Sequence, residues 1–540
     1  MNELKQFRKD FLFNFFIEFF LYFPFLTGWL TNGDGTTHSL FHKKAYTWEA
    51  MNGRFGIRLT DTLFRSRIIM PYLSTLLTLI FLDLMILLIL RLFRVEKKLY
   101  RILISLILIA SPTISNQMTY YYCSDSYMFS YLLSVLGLLI LAEGAGFTVL
   151  GYRIFRMRFG SGIAFLCATL CFTISLSLYQ APLIMSVTAA LLYFLGFAVT
   201  NEESFMGGRF SKDFRCRFLR MLFGGIAGVL IYILAFFLIR RFTGIEVTKA
   251  HGFNDVFSFS AQEGGGLLSR IGGAYRDTFR YFLTNDIIRN SWRRRGMVNA
   301  AIMIFTVALT VFRLRQHTPV MLLRWITAIV LLLLLPFTMG IVTVIAPGAP
   351  LTGETGLLTV MQMNFLYVYL LILAMNGGKK ESREYHVLRA VSVLLSVMLV
   401  WILFTYTFAF MHVLRLNHSR AMGVGARIVD AVEESGEYED GMRLMVGGVM
   451  EKGKYPFPDK ELLDIVQGSV AAYSMFWDGG VHSEGWAGFL KAEFGMDYDY
   501  VRSDEHNAIL EDPEYQAMSI FPEDGSVKKI GDVLVIKLSR

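Results

Sequence analysis

Eleven apolar blocks fill the first 412 residues of this 540-residue chain, at 11–31, 69–92, 101–117, 127–143, 160–178, 181–199, 219–240, 297–312, 319–345, 356–376 and 388–412. Most approach twenty residues, the length a helix needs to cross a hydrocarbon core of roughly 30 Å. No soluble core absorbs that many long apolar runs. Composition agrees, since 54% of residues are hydrophobic and only 18% charged, against about 25% charged in soluble domains. The pattern predicts an α-helical polytopic membrane protein with about 11 transmembrane helices. The first block begins at Phe11 and no small-residue cleavage site follows it, so it reads as a retained helix.

The net charge of +8 points away from nucleic acid, because the basic residues sit in short connections between apolar blocks. One alternate set of connections carries Lys5, Arg8 and Lys9; Arg94, Lys97, Lys98 and Arg101; Arg153, Arg156 and Arg158; and Arg209, Lys212, Arg215, Arg217 and Arg220. The same set ends with Arg313 and Arg315, then Lys379, Lys380 and Arg383. The opposite short connections, Thr113–Ser126, Tyr179–Gln180 and Pro347–Thr355, hold no Lys or Arg. The positive-inside rule then predicts a cytoplasmic N-terminus and an outside C-terminus.

Residues 1–412 form the expected membrane domain, with long outside loops at 32–67 and 243–296. In the second loop Leu267, Leu268, Ile271, Tyr275 and Phe279 recur at helical spacing with Arg270, Arg276 and Arg280 between them, as in an interfacial helix. Residues 413–540 are expected to form a small α/β extracytoplasmic domain. It should open with a helix over Ala426–Glu434, run a strand into a turn at Arg443–Gly448, and close on the alternating strand Asp532–Lys537. Cys123, Cys167, Cys171 and Cys216 define no disulfide framework, and the Cys167–Cys171 pair lacks the His or acidic partners a metal needs.

The chemistry-bearing residues gather in the first outside loop: Asn32-Gly33-Asp34-Gly35, His38, His42, Lys43, Lys44, Trp48, Glu49, Gly53-Arg54, Arg58 and Asp61. One reaction uses all these types. A sugar leaving a lipid phosphate builds negative charge that Arg or Lys must meet, and the attacking hydroxyl needs a carboxylate base. Asp34 fits the base, Arg54 and Arg58 the phosphate, and Trp48 a sugar face. The plainer reading makes Asp34 a turn residue and has the arginines snorkel into head groups.

Asp125 offers another acid, set among Tyr120, Tyr121, Tyr122 and Tyr127, which read as an interfacial aromatic belt. His38 and His42 have helical i, i+4 spacing, but spacing fixes no third ligand, so no metal is expected there. Asp83 lies within a span and should face the protein interior. Gln180 sits at the tip of a tight outside hairpin, placed to reach a ligand. No P-loop, dinucleotide fingerprint or nucleophile elbow is present.

Several stretches together resemble the serotype-converting glucosyltransferase family (Gtr type II), relatives of the multi-span GT-C glycosyltransferases. They are Asn32-Gly33-Asp34 followed by Trp48 and Gly53-Arg54, the hairpin Ser175–Ala181 with its Tyr179-Gln180 turn, and the ending Ile520–Val527 with the strand Val533–Ser539. The resemblance implies a GT-C-like membrane enzyme of the cytoplasmic membrane. It would move a sugar, typically glucose, from a polyprenyl-phosphate donor to a cell-surface glycan on the outer face.

It also implies Asp34 as the base, substrate contacts at the Tyr179-Gln180 turn, and no required cofactor, a divalent metal being optional. The partners are the lipid-linked donor, the glycan acceptor and membrane lipid, with no nucleic acid. The chain departs from the family in having Gly33 where a second acid precedes Asp34, so Glu49, Asp61 or Asp125 would have to supply it. It also shows no clear Pro-Arg motif near Ala346–Gly356. Two alternatives stand beside this reading. A transporter or flippase of lipid-linked sugar calls for paired intramembrane charges and internal repeats, whereas the sequence offers one prominent span-centre acid, Asp83, and no repeat. A structural partner that has lost catalysis fits the missing acid.

Overall fold

A computed structural model describes residues 2–27, 30–39, 47–144, 161–200, 205–206, 209–245, 266–284, 293–316, 322–345, 357–375, 383–439, 441–448, 460–466, 469–472, 483–501 and 503–539. His42, Arg153, Arg156, Arg158, Lys379, Lys380 and the segment Ala346–Gly356 lie outside them, as does the His38 side chain.

Helix dominates. The first half comprises α1 (Asn2–Thr27), α2 (Gly33–Ser39), α3 (Thr47–Met51), α4 (Ile57–Arg65), α5 (Pro71–Leu92), α6 (Lys98–Ile109), α7 (Pro112–Met118), α8 (Ser124–Glu143), α9 (Ser161–Leu178) and α10 (Ala181–Thr200). A two-residue hairpin, β1 (Phe205–Met206) and β2 (Arg209–Phe210), leads to α11 (Lys212–Thr243). There follow α12 (Leu267–Leu283), α13 (Arg293–Gln316), α14 (Leu322–Met339), α15 (Val342–Ile345), α16 (Asn364–Met375) and α17 (Arg383–Ser435).

Among the described residues eight helices are long and apolar enough to cross a membrane: α1, α5, α8, α10, α11, α13, α14 and α17. The pair α6 and α7 reaches that length together but bends by 45°, where Pro112 cannot continue the helix before it. Two shorter apolar helices cover Gly162–Leu178 and Met361–Met375. The chain is a helical membrane protein.

The basic residues do more than set charge. Arg217 donates to the Ala142 carbonyl at the end of α8 (2.7 Å), and Arg324 to Ala198 at the end of α10 (2.6 Å). Lys97 and Arg313 donate to Met375 and Leu373 at the end of α16 (3.1 and 3.0 Å). A helix leaves its last carbonyls without intrahelical partners, and cations there satisfy them while meeting the negative dipole end. These residues therefore bind the helix ends they flank.

Buried polar side chains tie the spans together. On α5, Asp83 accepts a hydrogen bond from Asn14 of α1 (3.0 Å). It is not the lone interior acid that the sequence suggests: Glu18, one turn along α1 from Asn14, is fully buried and close enough to Asp83 to feel its charge. An acid inside an apolar block is itself a signal, and Glu18 carried it.

The last part of the chain adds a small mixed sheet, with α18 (Lys460–Val466), α19 (Ser483–Phe494), α20 (Ser503–Leu510) and α21 (Pro513–Ala517). Strands β3 (Arg443–Gly447), β4 (Asp499–Tyr500), β5 (Val527–Ile530) and β6 (Val533–Lys537) lie in the order β4-β3-β6-β5. β3 runs parallel to β4 and β6, with Val446 opposite Ile536, and β5 and β6 form an antiparallel hairpin. Its second core joins Ile428 and Val432 of α17, Leu444 and Val446 of β3, Trp486 and Phe489 of α19, and Leu534 and Ile536 of β6.

The expected strands at 443–448 and 532–537 are present. The expected helix at Ala426–Glu434 is the end of α17, which runs unbroken through residue 412. Two anchors hold this part to the membrane helices. The Val470 amide donates to Asn116 of α7 (2.9 Å), and Asn417 of α17 donates to the Ala471 carbonyl (2.9 Å).

Candidate active site

The first loop folds back on itself. Asn32 accepts from the Gly35 amide (2.9 Å) and so starts α2, placing Asp34 in its first turn, where an acid favours the helix dipole. Tyr121 donates to the Gly35 carbonyl (2.7 Å) and Thr31 to the Thr119 carbonyl (2.8 Å), fixing α2 against the connection between α7 and α8. From the far end of the sequence, α19 packs on α2.

Asp34 opens to solvent on one side and is crowded by protein on the others. That crowding raises its carboxyl above the usual carboxylate range, and Arg54 pulls it partly back. Arg54 donates to the Tyr127 hydroxyl (2.8 Å) and lies over the rings of Tyr127 and Tyr179 (5.5 and 5.1 Å to the centroids). Those rings stack on each other at 4.3 Å. The result is a cation held by aromatic faces and one hydroxyl. Glu49 is buried, and its charge, like that of Asp34, acts on the Tyr122 hydroxyl. Asp34, Glu49 and Arg54 therefore share one neighbourhood.

The hairpin supports Arg54 from the other side. Gln180 donates to the Asn52 carbonyl (3.0 Å) and to the Tyr232 hydroxyl (3.2 Å), and Tyr232 donates to the Gly53 carbonyl (3.1 Å). Gly53 has φ 76°, a left-handed conformation, and any Cβ on it would collide with the Tyr232 hydroxyl. This gives the Gly53-Arg54 dipeptide its physical reason.

Other predicted residues stand elsewhere. Asp125 is fully buried and pairs with Arg65 (3.0 Å), which also pairs with Asp61 one turn back on α4 and donates to the Tyr122 carbonyl (2.8 Å). Asp61, Arg65 and Asp125 thus form a closed clamp beneath the site. Arg58 is exposed, and Trp48 is 47% exposed at the rim. Tyr120, Tyr121, Tyr122 and Tyr127 are not an interfacial belt. All four are buried around the loop, where the Tyr121 hydroxyl meets the Gly35 carbonyl and Tyr127 holds Arg54. Sequence reasoning missed Tyr232 and Arg65, since neither lies in a motif. Among the described residues no group of three His, Cys, Asp or Glu side chains converges as a metal site requires.

An apolar cavity of about 410 Å³ lies among α8, α9, α10, α11 and α14, lined by Phe172, Leu183, Val187, Phe218, Ile226 and Val229 among others. Leu183 and Val229 are each three residues, about one helical turn, from Gln180 and Tyr232. Two wall residues of the cavity thus lie about one turn from the groups that hold the Asn52–Gly53 backbone.

Fold and site define a helical membrane protein with a solvent-open acid beside an aromatic-held arginine, and an apolar cavity among its membrane helices. The family profile described as glucosyl transferase GtrII matches residues 36–375, and the chain belongs to that glucosyltransferase family. No curated protein and no solved structure matches it.

Proposed function

We propose that the protein is a GT-C-like glucosyltransferase using a polyprenyl-phosphate sugar donor, with its site on the outer face of the cytoplasmic membrane. The observation that carries this reading is Arg54, whose charge acts on the solvent-open Asp34. Its neighbouring backbone is held by Gln180 and Tyr232, each about one helical turn from a wall residue of the apolar cavity. A lipid-linked sugar has the same order of parts: apolar tail, phosphate, polar sugar.

With the tail in the cavity, the phosphate meets Arg54 and the sugar faces Asp34. The Asp34 carboxylate takes the proton of an acceptor hydroxyl, whose oxygen bonds to the anomeric carbon. The bond from that carbon to the phosphate oxygen breaks, and the lipid phosphate leaves with the electron pair, its charge met by Arg54. Glu49 supplies the second acid near Asp34 that Gly33 does not. Asp125, paired with Arg65, holds the loop. Trp48 and α19 border the side from which a surface glycan approaches, and basic side chains meet the single phosphate without a required metal.

Glu18 and Asp83 are two buried acids near each other, like groups rather than the opposite intramembrane charges the transport alternative calls for. Family membership favours transfer. The test is purified protein in liposomes with labelled polyprenyl-phosphate glucose and cell-envelope glycan. Label should move to the glycan with wild type and not with Asp34→Asn. Transfer that persists unchanged in Asp34→Asn removes it as the base, and movement of the lipid across the bilayer without transfer establishes the transporter.

A further inference from the structure

Three consecutive arginines, Arg293, Arg294 and Arg295, open α13. Two ordinary rules argue against them. The charge tally places this connection outside, where basic residues are depleted, and the first turn of a helix favours acids over cations. Something other than topology or helix stability accounts for this run.

Arg295 is only 2% exposed. Its Nη2 donates to the Tyr281 hydroxyl (3.3 Å), and its guanidinium carbon lies 5.4 Å from the centre of that ring. The phenols of Tyr367 and Tyr406 lie close enough to act on its charge. Tyr367 is itself held by donating to Asn299 (2.9 Å), one turn along α13. Nε has no hydrogen-bond partner, and among the described residues no carboxylate pairs with the guanidinium. Arg65 shows the contrast, being buried equally deeply with two carboxylates on it. A buried cation without a counter-charge is costly, and a planar guanidinium fork beside phenol hydroxyls matches a phosphate.

The cluster is also joined to Arg54. Asn116 reaches the Tyr406 hydroxyl (3.4 Å), and its neighbour Gln117 reaches Tyr131 (3.5 Å) and the Leu358 carbonyl (3.3 Å). Tyr179 donates to that same carbonyl (3.4 Å), and its ring carries Arg54. Buried polar groups thus run from Arg295 to Arg54.

We propose that Arg295, with Tyr281, Tyr367 and Tyr406, forms a second binding site for a phosphate-class anion, separate from Arg54 and taking the head group of a carrier lipid. The assignment of the tail rests on the donor reading above, whereas the anion follows from the cluster itself.

Native mass spectrometry of the full-length protein tests it, using polyprenyl phosphate, neutral polyprenol and inorganic phosphate as probes. Arg54→Gln should still bind polyprenyl phosphate, and adding Arg295→Gln should weaken it about ten-fold or more, to the level of polyprenol. Because loss of a buried guanidinium threatens the fold, Tyr367→Phe is the gentler variant and should weaken the same binding several-fold. Preference for polyprenyl phosphate over inorganic phosphate assigns the site to the carrier, and equal competition assigns it to free phosphate. Binding that stays within two-fold when Arg295→Gln or Tyr367→Phe is added overturns the site. This readout does not need transfer, so a failure of the catalytic reading leaves it standing or falling on its own.

Discussion

Two acidic groups, one around Asp34 and one joining Asp61 of the first loop to Asp125 of α8, illustrate how one residue type takes two jobs. In the closed group, Asp61 and Asp125 grip Arg65, and all three side chains are buried. In the open group, Asp34 reaches solvent and faces an arginine that spends its contacts on Tyr127 and Tyr179. The closed group has its charges satisfied, so it holds structure. The open group keeps an acid with a raised pKa and a cation held by neutral rings and a hydroxyl. A reactive site needs that unsatisfied state.

This contrast is open to direct attack. The largest effect should come from Asp34→Asn, which is expected to cut transfer by about 10²–10⁴-fold while the melting temperature moves by less than about 2 °C. Kinetics and a thermal melt on the same preparation check it. Asp125→Asn should do the reverse. Leaving Arg65 half-paired in the interior should cost about 3–5 kcal/mol of stability, read by thermal aggregation, while activity per folded molecule changes little. Equal losses of activity and stability in both variants would abolish the distinction.

Arg54→Gln sharpens the electrostatic half. Asp34 acts as a base only when ionised, crowding raises its pKa, and Arg54 lowers it. Removing the cation should raise the pKa further, so the acid limb of kcat/KM against pH moves to higher pH. A limb that moves down would contradict the pairing. The smallest effect should be that of Gly53→Ala, about 1–2 kcal/mol from the left-handed backbone together with the collision at Tyr232. Tyr232→Phe in the same chain should recover part of the melting temperature by removing the colliding hydroxyl.

α19 adds a second comparison, between local and distant support. Asp34 is positioned by Asn32 two residues away and by Tyr121 from the α7–α8 connection. It is also positioned by a helix some 450 residues later in the chain. Contacts at that separation leave no periodicity in the sequence, and for that reason the C-terminal region read as a separate domain with no visible link to the loop. The anchors at Val470 and Ala471 are equally silent, being backbone groups whose partners are the ordinary-looking Asn116 and Asn417.

By itself the sequence determined the apolar helices, the strands at 443–447 and 533–537, and the candidacy of Asp34, Glu49 and Gly53-Arg54. All of these rest on local spacing, on side-chain chemistry or on a run of neighbouring residues. Only the tertiary structure decided which acid is locked and which is open, because Asp34 and Asp125 are the same side chain until Arg65 is brought against one of them. It turned the tyrosines inward, since an interfacial ring and a cation-holding ring have the same composition. It also brought Glu18 near Asp83 and, among the described residues, set no carboxylate against Arg295. Burial and partnership are properties of neighbours in space, and spacing along a chain does not encode them.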